Sequence, residues 1–229
     1  LTHKGNQRLN YIKNKDNKYK MNCLDLFSGT HSVAKQLVKE GHKCITLDLK
    51  DSDINVNILE WDYTEYPVGH FDYIHASPPC HLFSICRKCN IGRKLKKHNG
   101  EVFTMEMLIK EQMEEGVPLV NKTLEILNYF KPKYYTIENP ATGDMKKYID
   151  LPYTDVTYCM YGFGYKKATR IWNNFDFKGR LCDKSHKHTA WDNVKAKDGL
   201  SVLQIRYRIP EELIKDLLCA IYNKNESGN

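Results

Sequence analysis

Short apolar segments alternate with stretches of helical periodicity along most of this 229-residue chain. Buried strands of a parallel sheet are near-continuous apolar runs, whereas an amphipathic helix repeats apolar residues every three or four positions. The sequence predicts strands at residues 23–27, 43–49, 71–76 and 133–138, and a late β pair at 156–161 and 170–175. It predicts helices at 32–39 and 210–222, and a long helical region at 104–130 that is interrupted near residues 116–118. This alternation predicts an α/β fold, in which helices cover both faces of a mostly parallel sheet.

The length favours one domain, because 229 residues form one substantial core and are few for two. We expect the folded domain at residues 21–223, a basic arm without fixed structure at 1–20, and a short tail at 224–229. The arm lacks the apolar segment of a secretory signal.

Composition and cysteine content indicate the cellular compartment in which we expect the protein. Apolar residues make up 41% of the chain and no run approaches the roughly 20 that span a membrane, so we expect no membrane association. Eight cysteines without a secretory signal favour a reducing, intracellular compartment, in which thiols are core residues, ligands or catalysts.

The net charge of +7 favours a polyanionic partner such as nucleic acid. Basic residues are concentrated in one segment, residues 87–98, which contains Arg87-Lys88, Arg93-Lys94 and Lys96-Lys97-His98. An ordinary solvated loop on a mildly basic protein is the alternative interpretation of this segment.

Candidate ligand-binding residues follow the predicted strands, where doubly wound sheets bind their ligands. Residues 25–30 join the first strand to the first helix, and Gly29 would let the backbone approach a ligand. Asp48 ends the second strand and could accept hydrogen bonds from ribose hydroxyls. Asp62 could accept from an adenine amino group. Glycine turns also occur in α/β proteins that bind no nucleotide, so an ordinary turn stays open.

Two further segments supply a thiol and a carboxyl group. Residues 76–80 read Ala-Ser-Pro-Pro-Cys and residues 136–140 read Thr-Ile-Glu-Asn-Pro. A thiolate from Cys80 could add to a pyrimidine ring while Glu138 protonates a ring nitrogen. We expect Arg87, Lys88 and Arg170 to lower the cysteine pKa from its usual value of about 8.5.

In this order the segments resemble the motifs of the DNA (cytosine-5)-methyltransferase family over residues 22–222. The matches are residues 25–32, Asp48, Asp62, 77–80, 138–139, 167–171 and 209–213. The resemblance implies a Rossmann-like fold, S-adenosylmethionine as cofactor, DNA as substrate, and methyl transfer to C5 of cytosine through a bond between Cys80 and C6. It implies cofactor-binding roles for Asp25, Phe27, Ser28, Gly29, Thr30, Asp48, Asp62 and Pro79, and catalytic roles for Cys80, Glu138, Asn139 and Arg170.

The resemblance also implies that the target base leaves its helix, with the basic segment as a mobile loop that contacts phosphates. The chain departs from the family pattern at His31, where a second glycine is usual and where we expect crowding. It departs also at Ala168, where the first arginine is usual, which leaves Arg170 and Lys167 to hold the base.

A short insert at residues 176–204 stands where sequence-specific members carry a target-recognition domain. This compact form resembles small methyltransferase-like proteins of phages and large DNA viruses. Specificity would then come from the insert, from the loop at residues 87–116, or from a protein partner.

No metal is expected in the reaction. Cys86, Cys89, Cys182 and His186 are nevertheless candidates for a tetrahedral zinc site, since thiolate and imidazole pairs at such spacing suit this ion. A polar loop is the alternative interpretation.

Three alternative functions share parts of this sequence pattern. Adenine-N6 methyltransferases share the fold, but their Pro-Pro segment ends in an aromatic residue, so Cys80 and Glu138 argue against them. Cytosine-5 methylation of RNA, and a nucleic-acid-binding homologue that has lost transfer, both stay open.

Overall fold

The computed structural model describes residues 20–190, 193–195, 199 and 201–227. Within them one sheet has seven strands in the order β3-β2-β1-β4-β5-β7-β6. The strands are β1 (Asn22–Leu26), β2 (Lys43–Asp48), β3 (Ile54–Asn55), β4 (Tyr73–Ala76), β5 (Tyr134–Pro140), β6 (Tyr153–Thr157) and β7 (Ala168–Asn173). β1 to β5 run parallel, while β7 is antiparallel to both β5 and β6. The predicted, mostly parallel sheet is confirmed.

Helices cover both faces of this sheet. They are α1 (Ser32–Lys39), α2 (Ile85–Lys88), α3 (Met105–Glu111), α4 (Val117–Phe130), α5 (Val202–Tyr207) and α6 (Glu211–Ser227). Successive side chains of a strand point to opposite faces, so Cys23 packs with α1 and α6, whereas Leu24 packs with α4. The two apolar clusters hold the sheet between them.

The long helical region predicted at 104–130 is two helices joined by a π-helical turn at Gln112–Gly116. Thr104 caps α3 by accepting a hydrogen bond from the amide of Met107 at 3.2 Å. Gly116 is required by packing, because a Cβ atom there would lie 2.6 Å from the ring of Phe83. Gly116 therefore leaves room for the ring of Phe83, which comes three residues after Cys80 in the sequence.

Residues 224–227 of the predicted C-terminal tail continue α6. Asn225 on the last turn accepts hydrogen bonds from the Tyr134 hydroxyl and, at 2.7 Å, from Lys133. The predicted late strand at 156–161 is displaced: β6 ends at Thr157, and Tyr158–Tyr161 form a 3-10 turn. Residues 1–19 of the predicted arm and residues 228–229 lie outside the described residues. No helix in the described part is long and apolar enough to cross a membrane.

Candidate active site

A cavity of about 410 Å³ opens at the carboxyl ends of β1, β2, β4 and β5. The strand order reverses here, because the chain leaves β1 for β2 on one side and returns as β4 on the other. The walls include most of the residues predicted for the cofactor and the reaction, namely Asp25, Phe27, Ser28, Gly29, Thr30, Asp48, Pro79, Cys80 and Glu138. Three predicted residues, Asp62, Asn139 and Arg170, are not part of the wall.

The turn between β1 and α1 contains three residues with left-handed backbone conformations. Phe27, Gly29 and His31 all adopt left-handed backbone conformations, with φ of 58°, 49° and 57°. The amide of His31 donates to the carbonyl of Ser28 at 2.7 Å and closes the turn. A left-handed conformation costs a residue with a Cβ atom about 1–2 kcal/mol, which explains why glycine suits position 31. The expected crowding is wrong, because His31 does not line the cavity and its cost is conformational.

Two carboxyl groups line the cavity beside the turn between β1 and α1. Asp25 is 2% exposed, and its Oδ2 accepts from the amide of Ala34 at 3.2 Å. Burial raises the pKa of Asp25 to about 7, with Asp48 adding to the shift and the Ala34 amide opposing it. Asp48 accepts from the amides of Gly29, at 2.8 Å, and Leu49, at 2.7 Å. The two side chains make this end of the cavity suited to cations and hydroxyl groups.

Asp62 takes no part in this wall. It caps the 3-10 helix Tyr63–Glu65, where its side chain accepts from the amide of Thr64 at 3.0 Å. The cavity wall at this level is built instead from Val56, Asn57 and Ile58, directly after β3. Sequence reasoning missed Asn57. Its position after a short strand beside β2 is the signal that could have identified it.

The loop that carries Cys80 is fixed at both ends. The Ser77 amide donates to the carbonyl of Leu26 at 3.1 Å, and the amide of Phe83 donates to the carbonyl of Cys80 at 3.0 Å. Asn139, 1% exposed, donates from Nδ2 to the carbonyl of Pro78 at 2.8 Å. Asn139 therefore positions the Pro-Pro segment from behind.

Burial raises the pKa of the Cys80 thiol; nearby Lys167 opposes the shift and Glu138 adds to it. The expectation that Arg87, Lys88 and Arg170 lower this pKa is wrong, because each of these side chains is paired with a carboxylate elsewhere. Burial therefore favours the protonated thiol, and Lys167 is the basic group that favours its ionised form.

Glu138 projects into the cavity from the end of β5 and is 6% exposed. Its Oε1 accepts from the hydroxyl of Tyr158 at 2.9 Å and from Nζ of Lys167 at 3.3 Å. The Lys167 ammonium also lies 4.6 Å from the centre of the Tyr158 ring. Tyr158 and Lys167 thus orient the carboxyl group, and sequence reasoning did not include Tyr158.

Arg170 is turned away from the cavity. Its guanidinium donates to both carboxylate oxygens of Asp155, at 2.8 and 2.9 Å, and lies 3.5 Å from the centre of the Tyr153 ring. Both partners lie on β6, where Asp155 is paired in register with Arg170. Lys167, just before β7, is the cation that the structure brings to Glu138.

The remaining walls come from β4 and the C-terminal segments. His75 is buried between Thr136, at 2.8 Å, and Ser77, at 2.9 Å, and burial lowers its pKa to about 3. This imidazole is therefore neutral. Tyr207 and Ile209 line the cavity as well, and the amide of Ile209 donates to Oγ of Ser32 at 3.1 Å.

The basic segment, residues 87–98, is tied to α3 by a buried carboxylate. Glu111, 7% exposed, binds the guanidinium of Arg87 and, at 2.9 Å, the ammonium of Lys97. Lys88 pairs with Asp144 at 2.8 Å. Three other cations of the segment are exposed and form no ion pair with a described residue: Arg93, Lys94 and Lys96. The loop expected to be mobile is thus held by intramolecular pairs.

The four candidate zinc ligands do not come together. Cys86 and Cys89 are exposed and lie apart from the group that contains Cys182 and His186. That group is completed by Cys159 and His188 instead.

No family model matches the chain. A curated relative from Frog virus 3 (isolate Goorha), a probable DNA (cytosine-5)-methyltransferase, is 40% identical over 219 residues, which cover 86% of this chain and 99% of the relative. Among solved structures, the Entamoeba histolytica methyltransferase EhMeth shares 14% identity with a TM-score of 0.49, over 80% of this chain and 62% of that one. A putative DNA modification methyltransferase encoded within an E. coli prophage shares 13% identity with a TM-score of 0.46, over 83% of this chain and 56% of that one. The extent and identity of the match to the viral relative show that this chain belongs to the DNA (cytosine-5)-methyltransferase family.

Proposed function

We propose that this chain transfers a methyl group from S-adenosylmethionine to C5 of cytosine in DNA, through a covalent bond between Cys80 and C6 of the base. One observation carries the proposal. Cys80, which follows β4, and Glu138, which lies on β5, line one cavity together with Asp25 and Asp48. A nucleophile and an acid therefore share a site with two carboxyl groups suited to the cofactor.

The cofactor end of the cavity fits the chemistry of S-adenosylmethionine. Asp25 offers a carboxylate to a cationic group, and Asp48 retains free lone pairs for ribose hydroxyls after accepting from two amides. The side-chain amide of Asn57 would contact the adenine in place of Asp62. When bound, the cofactor supplies an electrophilic methyl group.

At the other end, Cys80 and Glu138 would activate the base. C5 of cytosine is a poor nucleophile, so the thiolate first adds to C6 and Glu138 hydrogen-bonds N3 as negative charge develops on the ring. C5 would then accept the methyl group, and S-adenosylhomocysteine would leave. Transfer of the C5 proton to water and breakage of the C6–S bond would regenerate the aromatic base and the free thiolate.

Lys167 assists in two ways. Its ammonium favours the ionised form of Cys80 and lies within hydrogen-bond distance of Glu138. We infer that it replaces the arginine usual in the family as the group that contacts the base carbonyl. Arg170, paired with Asp155, supports the strands behind the site.

The position of the cavity and the short insert at 176–204 bear on which cytosines the chain can use. A cavity at the end of a sheet requires the cytosine to leave its helix or to be unpaired. We propose one catalytic domain from residue 21 through 223, with α6 extending it to Ser227, and a short insert at 176–204 that contacts few bases. A protein partner would supply any longer recognition sequence.

The first test is transfer of labelled methyl from S-adenosylmethionine to duplex DNA, single-stranded DNA and RNA. We expect label in 5-methylcytosine of DNA and a loss of at least about a thousandfold in Cys80→Ala. The matched control is Cys86→Ala, an exposed thiol outside the cavity, which should retain transfer. Label in RNA alone would reassign the substrate, and no label despite bound cofactor would favour a binding protein that has lost transfer.

A second test addresses the covalent step. DNA with 5-fluorocytosine blocks the last stage, because fluorine cannot leave C5 as a cation. The wild-type chain should therefore form an adduct that survives denaturation, and Cys80→Ala should form none. An adduct with Cys80→Ala would refute the assignment of the nucleophile.

A further inference from the structure

Two cysteines and two histidines converge outside the cavity. The ligand atoms of Cys159, Cys182, His186 and His188 all lie within 4.8 Å of one another, and Cys159, Cys182 and His188 are half-buried. Sγ of Cys182 lies 3.3 Å from Nε2 of His188, and the two histidine rings are 4.6 Å apart between centroids. In a tetrahedral zinc site the ligand atoms are about 3.3–3.8 Å apart, given Zn–S of about 2.3 Å and Zn–N of about 2.0 Å. Small side-chain movements would complete that geometry.

Hydrogen bonds fix the backbone around these ligands. The amide of Lys184 points at Sγ of Cys182, 3.4 Å away, as amides do around thiolate ligands. Asp183 accepts from the amide of Ser185 at 2.9 Å and fixes the turn between Cys182 and the histidines. The amide of Cys182 donates to Oγ1 of Thr157 at 3.2 Å. The last two of these three contacts use none of the four ligand atoms, whereas the first is made to the Cys182 sulfur.

We propose that Cys159, Cys182, His186 and His188 bind one Zn²⁺ ion in a closed, structural site. Two thiolates and two neutral imidazoles match the charge and softness of this ion and complete its four-coordinate shell. Four protein ligands leave no position for water or substrate. The site therefore stabilises structure and takes no part in catalysis.

The ion would join the short insert to the rim of the sheet. Cys159 lies in the Tyr158–Tyr161 turn, whereas the other three ligands lie in the segment that follows β7. That segment already runs close beside β6, because a Cβ atom at Gly179 would lie 2.4 Å from the carbonyl of Asp155. The neighbour of Cys159 in the turn, Tyr158, donates to Glu138. Zinc would thus fix both the insert and the turn that orients this carboxyl group.

Metal content of the purified full chain provides the test. Protein purified under reducing conditions without chelator should contain one zinc per chain, and Cys182→Ser and His188→Gln should each lose it. The matched control is the double substitution Cys86→Ser with Cys89→Ser, two exposed thiols that should leave zinc content unchanged. Absence of zinc from the wild type after incubation with zinc chloride, or its loss only in the control, would overturn the proposal.

Two measurements on the wild type avoid any doubt about the folding of a variant. Cys159 and Cys182 should resist alkylation until a chelator is added, while Cys86 and Cys89 react at once. Cobalt in place of zinc should give the visible bands of a tetrahedral site with sulfur ligands. Equal alkylation of all four thiols with and without chelator, a disulfide between Cys159 and Cys182 in the reduced preparation, or an octahedral cobalt spectrum would each refute the site.

Discussion

Replacing Asp25 with asparagine should make the protein more stable at alkaline pH while it weakens cofactor binding. The carboxyl group is buried, and its pKa rises from 3.8 to about 7 on folding. Between these values the folded chain holds a proton at Asp25 that the unfolded chain has released. Stability therefore falls as the pH rises through this window, since the unfolded state binds fewer protons there.

The size of the effect follows from the two pKa values. The difference between 3.8 and about 7, at about 1.4 kcal/mol per pH unit, corresponds to about 4 kcal/mol of lost stability above pH 7. Between pH 5 and pH 8 the loss is about 3 kcal/mol, because the folded carboxyl group ionises near pH 7. Asparagine at this position keeps an oxygen for the Ala34 amide and has no charge to bury, so Asp25→Asn should lack this loss.

Urea unfolding at pH 5 and pH 8 measures the difference directly. The wild type should lose about 3 kcal/mol more than Asp25→Asn between these two pH values, and contributions of the other titrating groups cancel in the comparison. Asp53→Asn is the matched control with the opposite sign. The pKa of Asp53 is lowered by hydrogen bonds from Thr46, so its charge stabilises the fold and this variant should be less stable at neutral pH. Equal pH dependence of the wild type and Asp25→Asn would refute the reasoning.

The same substitution should weaken S-adenosylmethionine binding by about 1.5–3 kcal/mol, the usual contribution of a hydrogen bond to a charged group. Isothermal titration calorimetry at pH 8 measures it. Unchanged affinity would show that Asp25 supports the turn and does not contact the cofactor.

Three more substitutions test individual assignments. Arg170→Met should lower the free energy of unfolding by about 1–2 kcal/mol, through loss of the bidentate pair with Asp155, and leave methyl transfer within about threefold; loss of transfer as complete as in Cys80→Ala would return Arg170 to the active site. Asn57→Ala should weaken cofactor binding by about tenfold, whereas Asp62→Ala should not, and calorimetry giving the reverse order would contradict the cavity wall described above. Asn139→Ala should reduce kcat without changing cofactor affinity, because the Pro-Pro loop loses its anchor; an unchanged kcat in steady-state assays would count against this positioning role.

The sequence predicted the sheet and most of the cavity because those features depend on short segments. Apolar runs identify the parallel strands, and residues at or just after their carboxyl ends gather at one edge whatever the details of packing. Asp25, Asp48, Cys80 and Glu138 meet for this reason. The directions of the Asp62 and Arg170 side chains depend on the residues that contact them in the fold, and the short segments do not reveal these contacts.

The failures have separate physical causes. Asp62 caps its own helix through Thr64, a local competition that its Asp-x-Thr spacing already indicates. Arg170 pairs with Asp155 because of the β6–β7 register, which no pattern within β7 reveals. Sequence spacing associates Cys182 with Cys86 and Cys89. Its thiol neighbour in the fold is Cys159, which lies in a turn without a Cys-x-x-Cys or Cys-x-x-x-His pattern.

The ion pairs that hold the basic segment against α3 would also govern how salt acts on the DNA binding that we propose for this segment. A cation that releases counterions from DNA contributes about −0.9 to the slope of log affinity against log salt concentration. Arg87, Lys88 and Lys97 are already neutralised by Glu111 and Asp144, so exchanging one partner for a phosphate brings little net release. Arg93, Lys94 and Lys96 alone would give this segment a slope of about −3, where all six cations would give about −5. The segment would thus hold DNA over a wider range of ionic strength than its charge alone indicates.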